Sequence, residues 1–239
     1  MIRLAQVLIE GTLIGLVYGL VAISFVVIYR ASRIVNLAQG EVLVVGALML
    51  WTFTYGLQSQ GWAVPLVVSL ALTAAACIAF GLILERFVFR PLISQPAFAI
   101  FMASIALLIV LRGAAQLFWS AESRAFPAIL PEGTFTIGPF PLSVPLVIGG
   151  AFSLCLSLLL HAFFTRTRQG LRLAAVAEDH RTAMSLGISV KAAIATAWIL
   201  GTLVATAAAV VLLSGRVISL EVAQIGFKAL PVALLGGLE

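Results

Sequence analysis

Gly170-Leu-Arg-Leu-Ala-Ala-Val-Ala-Glu-Asp-His-Arg-Thr-Ala-Met-Ser-Leu-Gly-Ile188 is the one long polar and basic interruption in a chain that otherwise passes from one apolar run to the next. It contains a short helix with both ends written out. Asp179 is placed to act as N-cap, accepting from the free backbone N–H groups of the following turn. With Glu178 it sets negative charge at the positive end of the helix dipole. Gly187 stands where a left-handed C′ glycine closes a helix. The pattern predicts a helix over 180–186, about two turns, with Ala183, Met184 and Leu186 on its apolar side and His180, Arg181 and Ser185 polar. So short a helix is unstable alone in water. It must dock, either flat on a membrane surface or against a soluble partner.

Composition fixes the surroundings. The 239 residues are 62% hydrophobic and 10% charged, with a mean hydropathy of +1.18. A soluble surface needs roughly a quarter charged residues, and several apolar runs reach the ~20 residues that span a bilayer. The fold class is all-α, a polytopic transmembrane helix bundle. Continuous rather than alternating apolarity excludes a β-barrel. The net charge of +5 sits in the connections, so topology accounts for it before nucleic acid does. Cys77 and Cys155 lie inside apolar runs and read as small buried hydrophobes. No His, Cys, Asp and Glu cluster has metal-ligand spacing, and no nucleophile stands beside a base. The chain reads as non-catalytic.

Outward from the loop, full spans are expected at 11–29, 36–57, 64–84, 97–119, 144–164 and 192–214, with a seventh run beginning near Phe227 and cut off at Glu239. The first run is as long as a full span and no cleavage site follows it, so it stays as a helix. Residues 85–91 read as a short charged loop, and 120–143 as a longer Pro- and Gly-rich one with a short strand at 134–137. Alternate connections divide the basic residues nine against three. Arg30, Arg33, Arg86, Arg90, Arg166, Arg168, Arg172, Arg181 and Lys191 fall on one side; Arg3, Arg124 and Arg216 fall on the other. The rule predicts the N-terminus outside, 120–143 outside and 166–191 cytoplasmic, and it puts Trp62 and Trp119 at outer span ends.

Span two opens on polar residues, Asn36, Gln39, Gly40 and Glu41. Such a start suits a broken helix lining a cavity, and these four are the candidate translocation-pathway residues. For Glu41 alone, pairing with Arg33 near the inner face is the simpler reading. Arg112 lies two-thirds across span four. On straight helices it differs from Glu41 in depth by about 13 Å, so direct pairing requires span two to be displaced or broken; otherwise Arg112 goes to other polar groups or outward. His161 reads as a hydrogen-bonded structural histidine. Gly11, Gly15 and Gly19, and Gly201 with Ala205 and Ala207–Ala209, read as close helix contacts.

Four motifs, taken together, carry a resemblance. The loop supplies Gly170, Ala175-Val-Ala-Glu-Asp179, Ala183 and Leu186-Gly-Ile188; Arg181-Thr182-Ala183 followed by Gly187 keeps the second Ala and the Gly of a Glu-Ala-Ala-x-x-x-Gly motif. The others are Arg33-Ile-Val-Asn-Leu-Ala-Gln-Gly-Glu41, Glu85-Arg86 with Arg90-Pro91, and Lys228-Ala229 with Leu235-Gly-Gly-Leu238. In this order they resemble the inner-membrane permeases of branched-chain amino acid ABC transporters, with Leu37 where that family usually has Phe. The resemblance implies one permease domain over 1–239, ending before further membrane segments that the family has. It implies a bacterial inner-membrane subunit that imports branched-chain amino acids, or urea or amides as related importers do. Two alternatives remain: a secondary transporter or channel, disfavoured by the few intramembrane ionisable groups (Glu41, Arg112, Lys228), and a membrane scaffold or assembly protein, which has no need of a polar broken-helix start. The implied partners are a second homologous permease, cytoplasmic ATP-binding subunits, an external solute-binding protein and membrane lipid. No cofactor is expected on this chain, since it has no P-loop, and ATP would be used by the partner subunits. Asp179, Arg181, Ala183, Met184, Leu186 and Gly187 are the implied ATPase-coupling residues.

Overall fold

The computed structural model describes residues 2–33, 35–59, 61–62, 64–92, 95–137 and 140–236. Ile34 of the second motif, and Gly237, Leu238 and Glu239 at the C-terminal end, lie outside the described residues. Long apolar runs become helices because a helix satisfies every backbone N–H and C=O internally, as a bilayer demands. Five helices are long and apolar enough to cross a membrane among the described residues. They are α1 (Ile2–Ser32), α3 (Leu66–Ile83), α4 (Ala97–Trp119), α5 (Val144–Arg166) and α8 (Val190–Leu213). Pro65, Pro96 and Pro145 stand at or beside the starts of α3, α4 and α5, where a missing N–H costs nothing. Outward-facing Val67, Phe87, Phe98, Ile109, Phe118 and Leu158 suit lipid or a sister subunit.

The second apolar run departs from its expected form. Its helix α2 begins at Gln39, not Asn36, and runs to Trp51, continuing through a π-helical turn at Thr52–Gly56. Nearly every residue of α2 is buried, because α3, α4, α8 and the segment 220–235 surround it. Small residues allow that enclosure. A Cβ added at Gly46 would strike the Thr206 side chain, and one at Gly81 would lie 2.7 Å from Thr202 Oγ1. One at Gly201 would lie 2.5 Å from Ile28 Cγ1. By contrast, nothing lies within 4 Å of a Cβ at Gly11, Gly15 or Gly19, so the close packing expected of that stripe is not made.

Two further expectations are corrected. Residues 85–91 are no loop; the helix of α3 continues through a π turn at Leu84–Phe89 and a 3-10 turn at Arg90–Leu92. There the fully buried Glu85 accepts a forked pair of hydrogen bonds from Arg90 at 2.9 and 2.8 Å. Cys155 is exposed, while Cys77 is buried against Thr206 Oγ1 at 3.2 Å.

The connections gather at two ends, as the alternation of spans requires. At one end β1 (Arg124–Ala125) pairs antiparallel with β4 (Val217–Ile218). The Phe126 amide donates to the Arg216 carbonyl at 2.8 Å, and the Ser214 hydroxyl accepts from the amides of Ile129 and Leu130 at 2.9 and 2.7 Å. The expected strand at 134–137 is β2 (Thr134–Ile137), paired with β3 (Phe140–Ser143). At the other end Arg33 Nη2 donates to the Ala177 carbonyl at 2.8 Å, and the Arg30 guanidinium lies 5.9 Å from the centre of the Phe164 ring. The 166–191 stretch at this end holds two helices, α6 (Arg168–Glu178) and α7 (His180–Ser185). After β4, a 3-10 turn at Leu220–Ala223 leads into α9 (Gln224–Leu235), which contains Pro231.

Candidate functional site

A non-helical stretch leaves the basic end of α1 and climbs into the bundle before α2 starts. Arg33 opens it with φ of 55°. Asn36 then makes a local cap, its Oδ1 accepting from the Ala38 amide at 3.1 Å and its Nδ2 donating to Gln39 Oε1 at 3.1 Å. Gln39 Nε2 donates to Ser24 Oγ at 3.1 Å and to the Gly201 carbonyl at 3.3 Å. Gly201 stands halfway along α8. The N-terminus of α2 is therefore at mid-depth, and α2 occupies the half of the bundle toward β1 and β4. Trp119 at the far end of α4 donates to Thr52 Oγ1 at 2.7 Å, which fixes its upper end.

The four candidate pathway residues converge here, and all are buried. Gly40 is required by packing. A Cβ there would run into the carbonyl of Ala223, and a Cβ at Gly226 would lie 2.6 Å from Gly40 Cα. The starts of α2 and α9 thus meet backbone to backbone. Glu41, one residue on, has Oε1 at 4.0 Å from Arg112 Nη1, while its Oε2 is buried with no hydrogen-bond partner among the described residues. The expected depth gap between Glu41 and Arg112 closes because α2 starts at mid-depth and not at the inner face. Arg112 also donates from Nη2 to Glu221 Oε1 at 2.9 Å, and Gln224 Nε2 bonds the other oxygen of Glu221.

Glu221 went unnoticed because it falls in 216–226, which reads as an ordinary loop. The signal was Arg112 itself. A cation inside a span costs about 2.5–3.5 kcal/mol on insertion scales, so an acid from a nearby connection was due as its partner. His161 is exposed on α5, and its backbone carbonyl accepts from the Thr165 hydroxyl at 2.8 Å.

At the basic end the predicted short helix is α7. Asp179 caps it, accepting from the Thr182 amide at 2.6 Å, and Gly187 follows at φ of 76°. The preceding α6 was not foreseen, though its signals are present. Thr167 caps it by accepting from the Gly170 amide at 2.9 Å, and Gly170, Leu173 and Val176 recur at helical spacing on its buried face. Ala183, Met184 and Leu186 do not share one side. Ala183 is buried with Val27 and Ala31 of α1, Leu173 and Val176 of α6, and Ala193 and Ala197 of α8. Met184 and Leu186 point outward, 57% and 71% exposed, beside exposed Arg181.

Hydrogen bonds from the Thr182 and Arg181 backbone hold the Asp179 carboxyl below the usual carboxylate range. A depressed folded-state pKa means the cap's contribution is complete above the unfolded value and is lost only as pH falls through the folded one. Hydrogen exchange at the Thr182 amide, corrected for intrinsic rate, is expected to keep constant protection from about pH 5 to 8. Asp179→Ala should remove that protection and Asp179→Asn should keep most of it. A midpoint near neutrality would contradict the assignment.

Residues 7–239 match the family described as branched-chain amino acid transport system, permease component. The chain is 30% identical over 245 residues to the high-affinity branched-chain amino acid transport system permease protein BraD of Pseudomonas aeruginosa, an alignment covering 98% of this chain and 79% of that one. It is 27% identical over 248 residues to the permease proteins LivH of Escherichia coli and Salmonella typhimurium, with the same coverage. No solved structure matches.

Proposed function

Because the chain belongs to the family of branched-chain amino acid transport system permease components, we propose that it is the membrane-spanning subunit of an ABC importer and moves branched-chain amino acids inward by alternating access. It acts as one permease domain over 1–239 in a bacterial inner membrane, N-terminus outside. Beside it stand a second homologous permease, cytoplasmic ATP-binding subunits that hydrolyse ATP, and an external solute-binding protein. Residues 120–143 face that binding protein, and 166–191 face the ATPases.

One observation carries the reading: α7 is anchored inward by Ala183 and shows Met184 and Leu186 outward. Apolar side chains on a polar loop are a docking surface. Force applied there reaches the bundle through Ala183. The apolar cluster it joins includes Val27 and Ala31 of α1 and Ala193 and Ala197 of α8. These same two helices hold Gln39 through Ser24 and Gly201. A displacement of α7 therefore reaches the α2 start through two rigid helices, and ATPase closure can bias two arrangements of that start. The Asn36–Glu41 segment is the part of the pathway that such movement opens.

Leu186→Glu, reconstituted with all partners, is expected to insert normally, to retain less ATPase on co-purification, and to lose uptake by about tenfold or more. Full uptake by a normally inserted Leu186→Glu chain would refute the docking role. Ala183→Arg is the poorer probe, since a buried guanidinium would damage the anchor itself.

A further inference from the structure

Arg112 and Gln116 stand one turn apart on α4, and Glu221 and Gln224 one turn apart across the 3-10 turn and α9. All four are at least partly open to the outside of the chain. The Arg112 side chain is 36% exposed and that of Glu221 65%. Arg112 is seven residues from Trp119 at the end of α4, about 10 Å below it. Its outward neighbours Ile109, Leu117 and Phe118 are lipid-like. An ion pair open at this depth does not face hydrocarbon. Nor is it a simple structural pair: one guanidinium serves two carboxylates, Glu221 at 2.9 Å and Glu41 at 4.0 Å, and Glu41 Oε2 has no hydrogen-bond partner among the described residues.

The geometry points to this stripe as the surface that receives the charged α-ammonium and α-carboxylate of a zwitterionic amino acid during passage, an inference that rests on the importer reading above. A zwitterion can enter an opened Arg112–Glu221 pair without changing net charge. The guanidinium takes the solute carboxylate through its fork, and Glu221 takes the ammonium. One ion pair and one zwitterion become two ion pairs, and no proton moves. Glu41, behind Arg112, keeps the guanidinium compensated while the Glu221 bond is open. Gln116 and Gln224 extend the polar surface above and beside the pair. Solutes without both charges, such as urea, lack the groups that this exchange requires.

The test uses the assembled complex in lipid nanodiscs with exposed Cys155 replaced by Ser. Gln116→Cys and Gln224→Cys are expected to react with a charged, membrane-impermeant thiol reagent about tenfold faster than Leu117→Cys, because only a water-facing thiol ionises. Leucine-loaded binding protein with ATP should change those rates. Glu221→Gln, which removes the ammonium acceptor and leaves Arg112 compensated by Glu41, should still co-purify with every partner and lose leucine uptake by about 100-fold or more. Both cysteines shielded in every state and cross-linking to the partner permease would overturn the proposal in favour of a subunit contact. Undiminished leucine uptake by the Glu221→Gln variant would overturn it directly. If the unsubstituted complex carries no amino acid while the labelling pattern persists, the solute class falls and the importer reading with it, but the water-facing stripe stands.

Discussion

Replacing Gly40 by valine is expected to abolish both the folded chain and uptake. The added atoms have nowhere to go. The first of them meets the carbonyl of Ala223, and Gly226 presses from the same side, its own missing Cβ leaving room for Gly40. Backbone cannot rotate aside as a flexible side chain can. Overpacking a core commonly costs about 1–3 kcal/mol, and Gly40→Ala should already reach the upper part of that range. Valine adds two methyls and a χ1 restriction to the same collision. The measurement is the fraction of monodisperse chain after detergent extraction and mild heating, read with uptake by the reconstituted complex. Gly15→Ala is the control, since nothing lies within 4 Å of a Cβ there, and it should leave both readings unchanged. A Gly40→Val chain that extracts and transports normally would show that the α2 and α9 starts do not meet as described.

Arg90→Met should reduce the monodisperse, heat-resistant chain about tenfold, since removing one partner strands the other's buried charge. Glu85 is fully buried, and both its oxygens are held by the Arg90 fork. Substituting both residues, Glu85→Gln with Arg90→Met, should recover most of the loss, because no uncompensated charge then remains. The pair spans the π turn that ends α3, so the single variant should also loosen the Phe89 stack on Trp198, whose rings lie 4.5 Å apart. Tryptophan fluorescence reads that change separately from yield. Equal yields from the single and double variants would mean that the ion pair is not what holds this end of α3.

Where chemistry is local, the sequence showed the structure closely. The helix at 97–119 was legible because Pro96 and Ser120 bracket a long, mostly apolar run, and α7 because Asp179 and Gly187 write its ends. The hairpin strand at 134–137 follows from a Pro- and Gly-rich surround. Depth is not a local property. Hydropathy sees that residues 36–57 are apolar, but not that the chain leaving α1 lifts Gln39 to the level of Gly201 before α2 starts. The Glu41–Arg112 proximity and the role of Gly40 were hidden for that reason. The partition of Ala183 from Met184 and Leu186 was hidden because α6 was missed, and α6 supplies one wall of the Ala183 pocket. Glu221 illustrates the same limit from the other side. Its meaning comes from a residue 109 positions earlier.

The enclosed position of α2 has a consequence for how the chain is made. Synthesis delivers α1 and α2 first, yet the groups that receive α2 lie far downstream: Gly201 for the Gln39 amide and Thr206 against Gly46. Until α8 has left the ribosome, Gln39 has Ser24 of α1 but not the Gly201 carbonyl, and Gly46 lacks the wall that Thr206 supplies. A half-depth helix with buried polar residues at its start is a weak signal for the insertion machinery. It must wait in a provisional place, shallow or at the protein-lined edge of the insertion channel, and be drawn in when α8 arrives. Maturation then has a late, long-range step in which one helix threads between others already in the membrane, and such steps are slow because distant segments must meet first. Ribosome-stalled chains ending before and after residue 213 would differ in whether a cysteine at position 39 is open to thiol reagents.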